Sequence, residues 1–192
     1  ASPLLTHLRR GSGLALLILA LVLWRGAERP LMLISAEGDA VGILTDAGRV
    51  PSKPRGGAFS VGKWLEADGD PADQVTAAAR PAWTGEAAIR SATLTDNGRR
   101  LIVYHLTGKS AQNTVGRVCR GGAYVITNSS AVLPAGGDCV LIDTRYLRDS
   151  GAIAMPAGGP FRLVSTDSTN ARRSWSASGR GVGDRDKKDR IE

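Results

Sequence analysis

Histidine is scarce in this sequence, which limits the chemistry that the chain can perform. Among 192 residues only His7 and His105 are histidines, and neither belongs to an H-x-H or H-E-x-x-H pattern. Hydrolytic metal centres use several His, Asp or Cys ligands at fixed spacing. The sequence therefore predicts no metal ion and no other cofactor, and we interpret His105 as an ordinary residue of a strand. G-x-S-x-G and Walker motifs are also missing, so no catalytic residue is predicted.

Cysteine is equally rare, and the two cysteines leave two interpretations open. Cys119 and Cys139 are the only ones in the chain, and no further ligands nearby would complete a metal site with them. They are either free thiols in the core or partners in a disulfide. A disulfide requires an oxidising compartment, and closing a loop of this length would contribute about 3 kcal/mol in the chain-entropy model.

Aromatic residues make up only 5% of the chain, whereas glycine occurs 24 times. This composition favours strands and turns over long helices. The formal net charge of +7 is compatible with nucleic acid or with anionic lipid headgroups as a partner. Residues 177–192 are rich in charge and nearly free of apolar side chains, so we expect a disordered tail there.

One segment lacks charge altogether. Residues 11–24 (GSGLALLILALVLW) lie between Arg10 and Arg25, and as a helix they would measure about 21 Å against a hydrocarbon core of about 30 Å. We predict a transmembrane helix with flanks over residues 1–28, anchored in the lipid bilayer by Arg10, Trp24 and Arg25. The alternatives are a signal peptide, although no good cleavage site follows, and a buried helix, although no polar stripe is present.

The remaining sequence predicts a strand-rich, mixed-sheet α+β domain over residues 29–176. Apolar runs between turn signals predict short strands at residues 31–35, 40–44, 92–94, 101–106, 124–127, 139–143, 151–155 and 161–164. Short helices are predicted at residues 61–67, with Ser60 as the N-cap, and at residues 72–79, 110–119 and 146–148. Asn97-Gly98 is the strongest hairpin signal in the chain.

Several stretches, in this order, resemble the C-terminal region of the ComEC/Rec2 family, the competence proteins of the bacterial inner membrane, in the form found in alphaproteobacteria. The apolar run ending in Trp24 is similar to the last transmembrane helix of the family. Residues 29–38 (RPLMLISAEG) resemble its entry strand, and residues 59–70 (FSVGKWLEADGD) resemble its F-x4-W-L-x3-G-D helix. Residues 138–152 (DCVLIDTRYLRDSGA) are similar to its segment around C-x-V-L-I-D and L-R-x-x-G-A.

This resemblance implies a fold like a degenerate metallo-β-lactamase and a role in DNA uptake. The histidine-rich metal signature of that fold has no counterpart here, so the resemblance favours an accessory or structural domain without hydrolase activity. Such a domain would contact the remainder of a polytopic channel. It would also bind single-stranded or double-stranded DNA through basic residues, for which the candidates are Lys53, Arg55, Arg145 and Arg148.

Two other functions stay open. One is a metal-dependent nuclease that uses ligands such as Asp39, His105 and Asp143, although two histidines are too few for a two-metal site. The other is a membrane-anchored periplasmic binding module unrelated to DNA. In each case the arginines ahead of the apolar run favour a cytoplasmic N-terminal side, which predicts a periplasmic domain at the inner membrane.

Overall fold

The strands of this protein divide between two sheets, each of five strands. The computed structural model describes residues 13, 16, 18, 19, 29–86, 88–108, 111–158, 161 and 163–165. Sheet A has the strand order β10-β9-β1-β2-β3 and is antiparallel throughout. Its strands are β1 (Met32–Ile34), β2 (Val41–Thr45), β3 (Gly48–Pro51), β9 (Ile153–Met155) and β10 (Val164–Ser165).

Sheet B has the strand order β4-β5-β6-β7-β8 and mixes the two kinds of pairing. Its strands are β4 (Thr84–Glu86), β5 (Ile89–Asp96), β6 (Arg99–Leu106), β7 (Ala123–Thr127) and β8 (Cys139–Ile142). The hairpin between β5 and β6 turns at Asn97 and Gly98, both with positive φ, as a two-residue type I′ turn requires. The pairs β6–β7 and β7–β8 are parallel, so each needs a longer connection.

The main core lies between the two sheets, because alternate residues of each strand point to the same face. Sheet A contributes Met32, Ile34, Val41 and Ile43 to this core. The core residues from sheet B include Leu94, Leu101, Val103, Tyr124, Ile126 and Ile142. The residues in between face outward, where helices cover part of each sheet. The result is four layers, with helices outside each of the two sheets.

The helices with defined bounds are α1 (Ala58–Asp68), α2 (Gln74–Ala78), α3 (Ala111–Val118) and α4 (Thr144–Ser150). Helices α1 and α2 cover the outer face of sheet A through Ala40, Val61, Leu65 and Ala77. Helix α3 covers sheet B, where Ala111 and Val115 pack with Leu106 and Val125. Helix α4 follows β8 directly and places Leu147 in the core between the sheets.

The predicted fold class, a transmembrane helix ahead of a mixed-sheet domain like a degenerate metallo-β-lactamase, is wrong. The structure is an α+β fold with two sheets and, in its described part, four helices of defined bounds. The longest of them, α1, has 11 residues and measures roughly 16 Å, about half of a hydrocarbon core. None of the described helices has the length and apolar character needed to cross a bilayer.

Of the apolar run itself, the described residues are Gly13, Leu16, Ile18 and Leu19, which are helical and exposed. The predicted anchors Arg10, Trp24 and Arg25 and the predicted disordered tail at residues 177–192 lie outside the described residues.

Smaller differences concern short polar elements. Strands β3 and β4 were not expected, because Gly48–Pro51 and Thr84–Glu86 contain few apolar residues. Helix α1 begins after Gly57 and not after Ser60. Gly57 has φ 59°, and a methyl group built on it would lie 2.5 Å from Cβ of Ala40. Only glycine therefore fits where the chain enters the helix.

Candidate functional site

Polar residues converge at one end of the two packed sheets, which we call the loop end. The β1–β2 turn (residues 35–40) lies there, together with the loop after β3 and the C-terminal ends of β6, β7 and β8. The carboxyl ends of the parallel strands meet there, next to the turn from sheet A. A methyl group on Gly38 in this turn would lie 2.8 Å from Leu147 Cδ1 and 2.9 Å from the carbonyl oxygen of Thr127.

A buried hydrogen-bonded pair joins the two sheets at the loop end. His105 of β6 and Ser52, which follows β3, are both fully buried, and their Nδ1 and Oγ atoms are 2.6 Å apart. The other ring nitrogen, Nε2, lies 3.1 Å from the carbonyl oxygen of Gly38. A carbonyl oxygen can only accept, so Nε2 donates to it and Nδ1 accepts the proton of the Ser52 hydroxyl.

The hydrogen bond between Ser52 and His105 resembles that between a catalytic serine and its general base, but solvent does not reach either side chain. Burial lowers the pKa of His105 to about 4, although the hydrogen bond to Gly38 opposes that shift. The imidazole is therefore neutral at pH 7. Because Ser52 Oγ is closed off from any substrate, the pair fastens the sheets together and does not supply a nucleophile. Sequence reasoning missed Ser52, since the two residues are 53 positions apart.

The three residues considered as metal ligands each have other bonds. Asp143 caps helix α4: its Oδ1 accepts from the backbone N–H groups of Arg145 and Tyr146, and its Oδ2 from that of Ala131. Asp39 accepts a hydrogen bond of 2.7 Å from the Ser35 hydroxyl. In the part of the chain that the structure describes, no three His, Cys, Asp or Glu side chains are grouped so that they could hold a metal ion.

The four candidate DNA-binding residues fall into two pairs, on either side of the β1–β2 turn. Lys53 and Arg55 belong to the loop of residues 53–57, which we call the basic loop. Arg145 and Arg148 are exposed on helix α4. The turn touches both sides, because Gly57 faces Ala40 and Gly38 faces Leu147. The structure thus puts all four at the loop end, but it does not merge them into one cluster.

The basic loop has a fixed shape. Gln74 of α2 donates through Nε2 to the carbonyl oxygens of Lys53, at 3.1 Å, and of Gly56, at 2.8 Å. Partial burial lowers the pKa of Lys53, an effect that the nearby Asp39 carboxylate opposes. The loop leads directly into α1. In the described residues no side chain caps the start of that helix, and its first turn contains no acid, so its positive N-terminal dipole adds to the two cations.

The two cysteines lie at the opposite end of sheet B. Cys119 follows α3 and Cys139 begins β8, and the structure joins them in a disulfide with a Cα–Cα distance of 4.9 Å. Cys119 is buried in the small core under α3, and Cys139 packs against that core. The bond therefore ties this helix to the edge strand of the sheet. Arg99 and Arg100, in the hairpin before β6, also lie at this end and are exposed.

Comparison of the chain with protein-family models, with curated proteins and with solved structures finds no match.

Proposed function

We propose that this chain is an accessory domain of a DNA-uptake channel of the ComEC/Rec2 type, without hydrolase activity, and that it binds DNA phosphates at the basic loop. The single observation that carries the proposal is the position of Lys53 and Arg55. Both lie in a loop braced by Gln74 and directly ahead of a helix start without a side-chain cap. Cations and free backbone N–H groups at a helix N-terminus suit phosphate oxygens.

The segments that carry the family resemblance support the proposal by where they lie. Residues 29–38 form β1 and its turn, residues 59–70 include most of α1, and residues 138–152 form β8 and α4. The first and third segments share the core between the sheets, and the second packs on the outer face of sheet A. The disulfide supports an oxidising compartment, which for an inner-membrane protein is the periplasm.

Salt-dependent DNA binding tests the proposal. The protein would be titrated with a labelled 30-nucleotide single strand and with the matching duplex, from ~50 to ~200 mM salt. We expect affinity for both to fall steeply with salt, since binding to phosphates releases counterions. The double variant Lys53→Ala/Arg55→Ala should reduce the slope of log K against log salt by roughly one to two.

The matched control is Arg99→Ala/Arg100→Ala, which removes the same charge from the opposite end of sheet B. This variant should keep the slope of the unmodified protein. Equal losses in the two variants would show that binding depends on overall charge and not on the basic loop. A salt-independent titration, or no binding at ~50 mM salt, would reject the DNA-binding function altogether.

A further inference from the structure

Phe59 is the most exposed large apolar side chain in the described residues. It is 81% exposed, compared with 66% for Leu16, the next in order. It lies in the first turn of α1, whose buried face is formed by Val61 and Leu65. The helix is therefore anchored without Phe59, and the ring stands free in solvent although burying it would stabilise the fold.

The surroundings of Phe59 are basic. The ring follows the basic loop by two residues, and Lys63 is one helical turn further along the same face. Lys63 is paired with Glu66 at 2.7 Å. Among the described residues no carboxylate lies within 4 Å of the charged nitrogens of Lys53 or Arg55, although the Asp39 carboxylate acts on Lys53 at longer range. Because Gln74 binds the loop backbone and Gly57 fixes the helix entry, the backbone that carries Lys53, Arg55 and Phe59 has a defined shape.

We propose that Phe59 is a stacking platform for an unpaired base, and that the basic loop beside it binds the phosphates of the same strand. The inference rests on the proposed function and narrows its substrate to single-stranded nucleic acid. Every base has a flat face that stacks on an aromatic ring. In a duplex those faces are covered by neighbouring base pairs, so the ring gains nothing from duplex DNA. An exposed ring next to cations is the arrangement found in sites for single strands.

Substitutions at Phe59 test this inference in the full chain. The probes are an oligothymidine of 30 nucleotides and a 30-base-pair duplex, both at ~100 mM salt. We expect Phe59→Leu, which keeps an apolar side chain without a ring face, to weaken binding of the single strand roughly tenfold. Phe59→Trp should retain or strengthen that binding. Neither variant should change duplex affinity, and their circular dichroism should match that of the unmodified protein because the side chain is exposed.

The control is Ile102→Ala, which shortens another exposed apolar side chain, 47% exposed on sheet B, and should leave both affinities unchanged. If Phe59→Leu binds the single strand as well as the unmodified protein does, the stacking inference is wrong, while the salt slope of the basic loop can still support the proposed function. Vesicles of phosphatidylglycerol provide a second arm. A loss of vesicle binding in Phe59→Leu, with single-strand binding unchanged, would identify a lipid surface as the occupant and overturn the inference.

Discussion

The helices outside sheet A are held to it by buried charges, whereas the helix outside sheet B is held by a covalent bond. Arg49 of β3 is 1% exposed, and its guanidinium contacts both carboxylate oxygens of Asp68 at the end of α1, at 2.5 and 3.3 Å. Beside it, Arg80 pairs with Asp70 and donates to the carbonyl oxygen of Arg49. On sheet B, the Cys119–Cys139 disulfide joins the end of α3 to β8.

The two kinds of attachment act on different states of the chain. A buried ion pair is expensive to desolvate, and it contributes only when both partners are in place, so it favours one arrangement of helix and strand. A disulfide acts mainly by restricting the unfolded chain. Loss of either Arg49 or Asp68 should therefore weaken the attachment of the helices to sheet A. The attachment of α3 to sheet B should depend on whether the disulfide is oxidised or reduced.

The largest effect is expected from breaking the ion pair on one side. Asp68→Ala leaves Arg49 buried without its carboxylate, which should lower the free energy of unfolding by about 3–5 kcal/mol. Urea denaturation followed by circular dichroism measures this loss. The double variant Arg49→Met/Asp68→Leu should recover much of it, because no unpaired charge stays buried. A loss below about 1 kcal/mol in Asp68→Ala, the range of exposed pairs, would show that the pair is not effectively buried.

A smaller loss is expected from opening the disulfide. Cys119→Ser/Cys139→Ser should lower the free energy of unfolding by about 3 kcal/mol, since the unfolded chain regains the freedom of a loop with a sequence separation of 20. The unmodified protein in reductant should show a similar loss. The same reductant should leave the double serine variant unchanged. Two titratable thiols in denatured protein purified without reductant would contradict the bond.

The smallest effect on stability is expected from the Ser52–His105 pair, whose contribution should depend on pH. Burial lowers the pKa of His105 to about 4 in the folded protein, against 6.5 in the unfolded chain, so protonation favours unfolding. The stabilisation is complete above pH 6.5 and is lost as the pH falls towards 4, which amounts to about 2 kcal/mol between pH 7 and pH 5. His105→Asn should be less stable at pH 7 but should show a flatter dependence over this interval. Identical pH profiles for the two proteins would contradict the buried neutral state.

Local signals in the sequence predict much of this fold, and long-range polar contacts account for most of what they miss. The hairpin at Asn97-Gly98 follows from two residues that tolerate positive φ. In contrast, nothing local indicates that Arg49 is buried, because arginine is mostly exposed unless it is paired. Its partner Asp68 is 19 residues away. Strand β3 was missed for the same reason, since its central arginine interrupts the apolar pattern.

The candidate site, too, was predicted where local signals suffice and missed where long-range contacts decide. The charges of Lys53 and Arg55 and the glycines after them are visible in the sequence, and they predict a basic loop. The pairing of His105 with Ser52 and the bracing of the loop by Gln74 depend on the packing of distant segments. The exposure of Phe59 was also not predicted, because a phenylalanine near a helix start is more often buried. Its position ahead of the buried pair Val61 and Leu65 is the one signal that could have indicated an outward ring.

The strand order of sheet A has a consequence for the way the protein is made. Strand β1 pairs with β9, so that Met32 lies opposite Met155, and all of sheet B is inserted between these partners in the chain. During synthesis the ribosome must release more than a hundred further residues before β1 gains its second neighbour. Until then one edge of β1 stays open, and its unpaired backbone groups can bind another strand. The nascent protein thus carries an open strand edge, a feature that favours aggregation, until β9 has emerged and paired with β1.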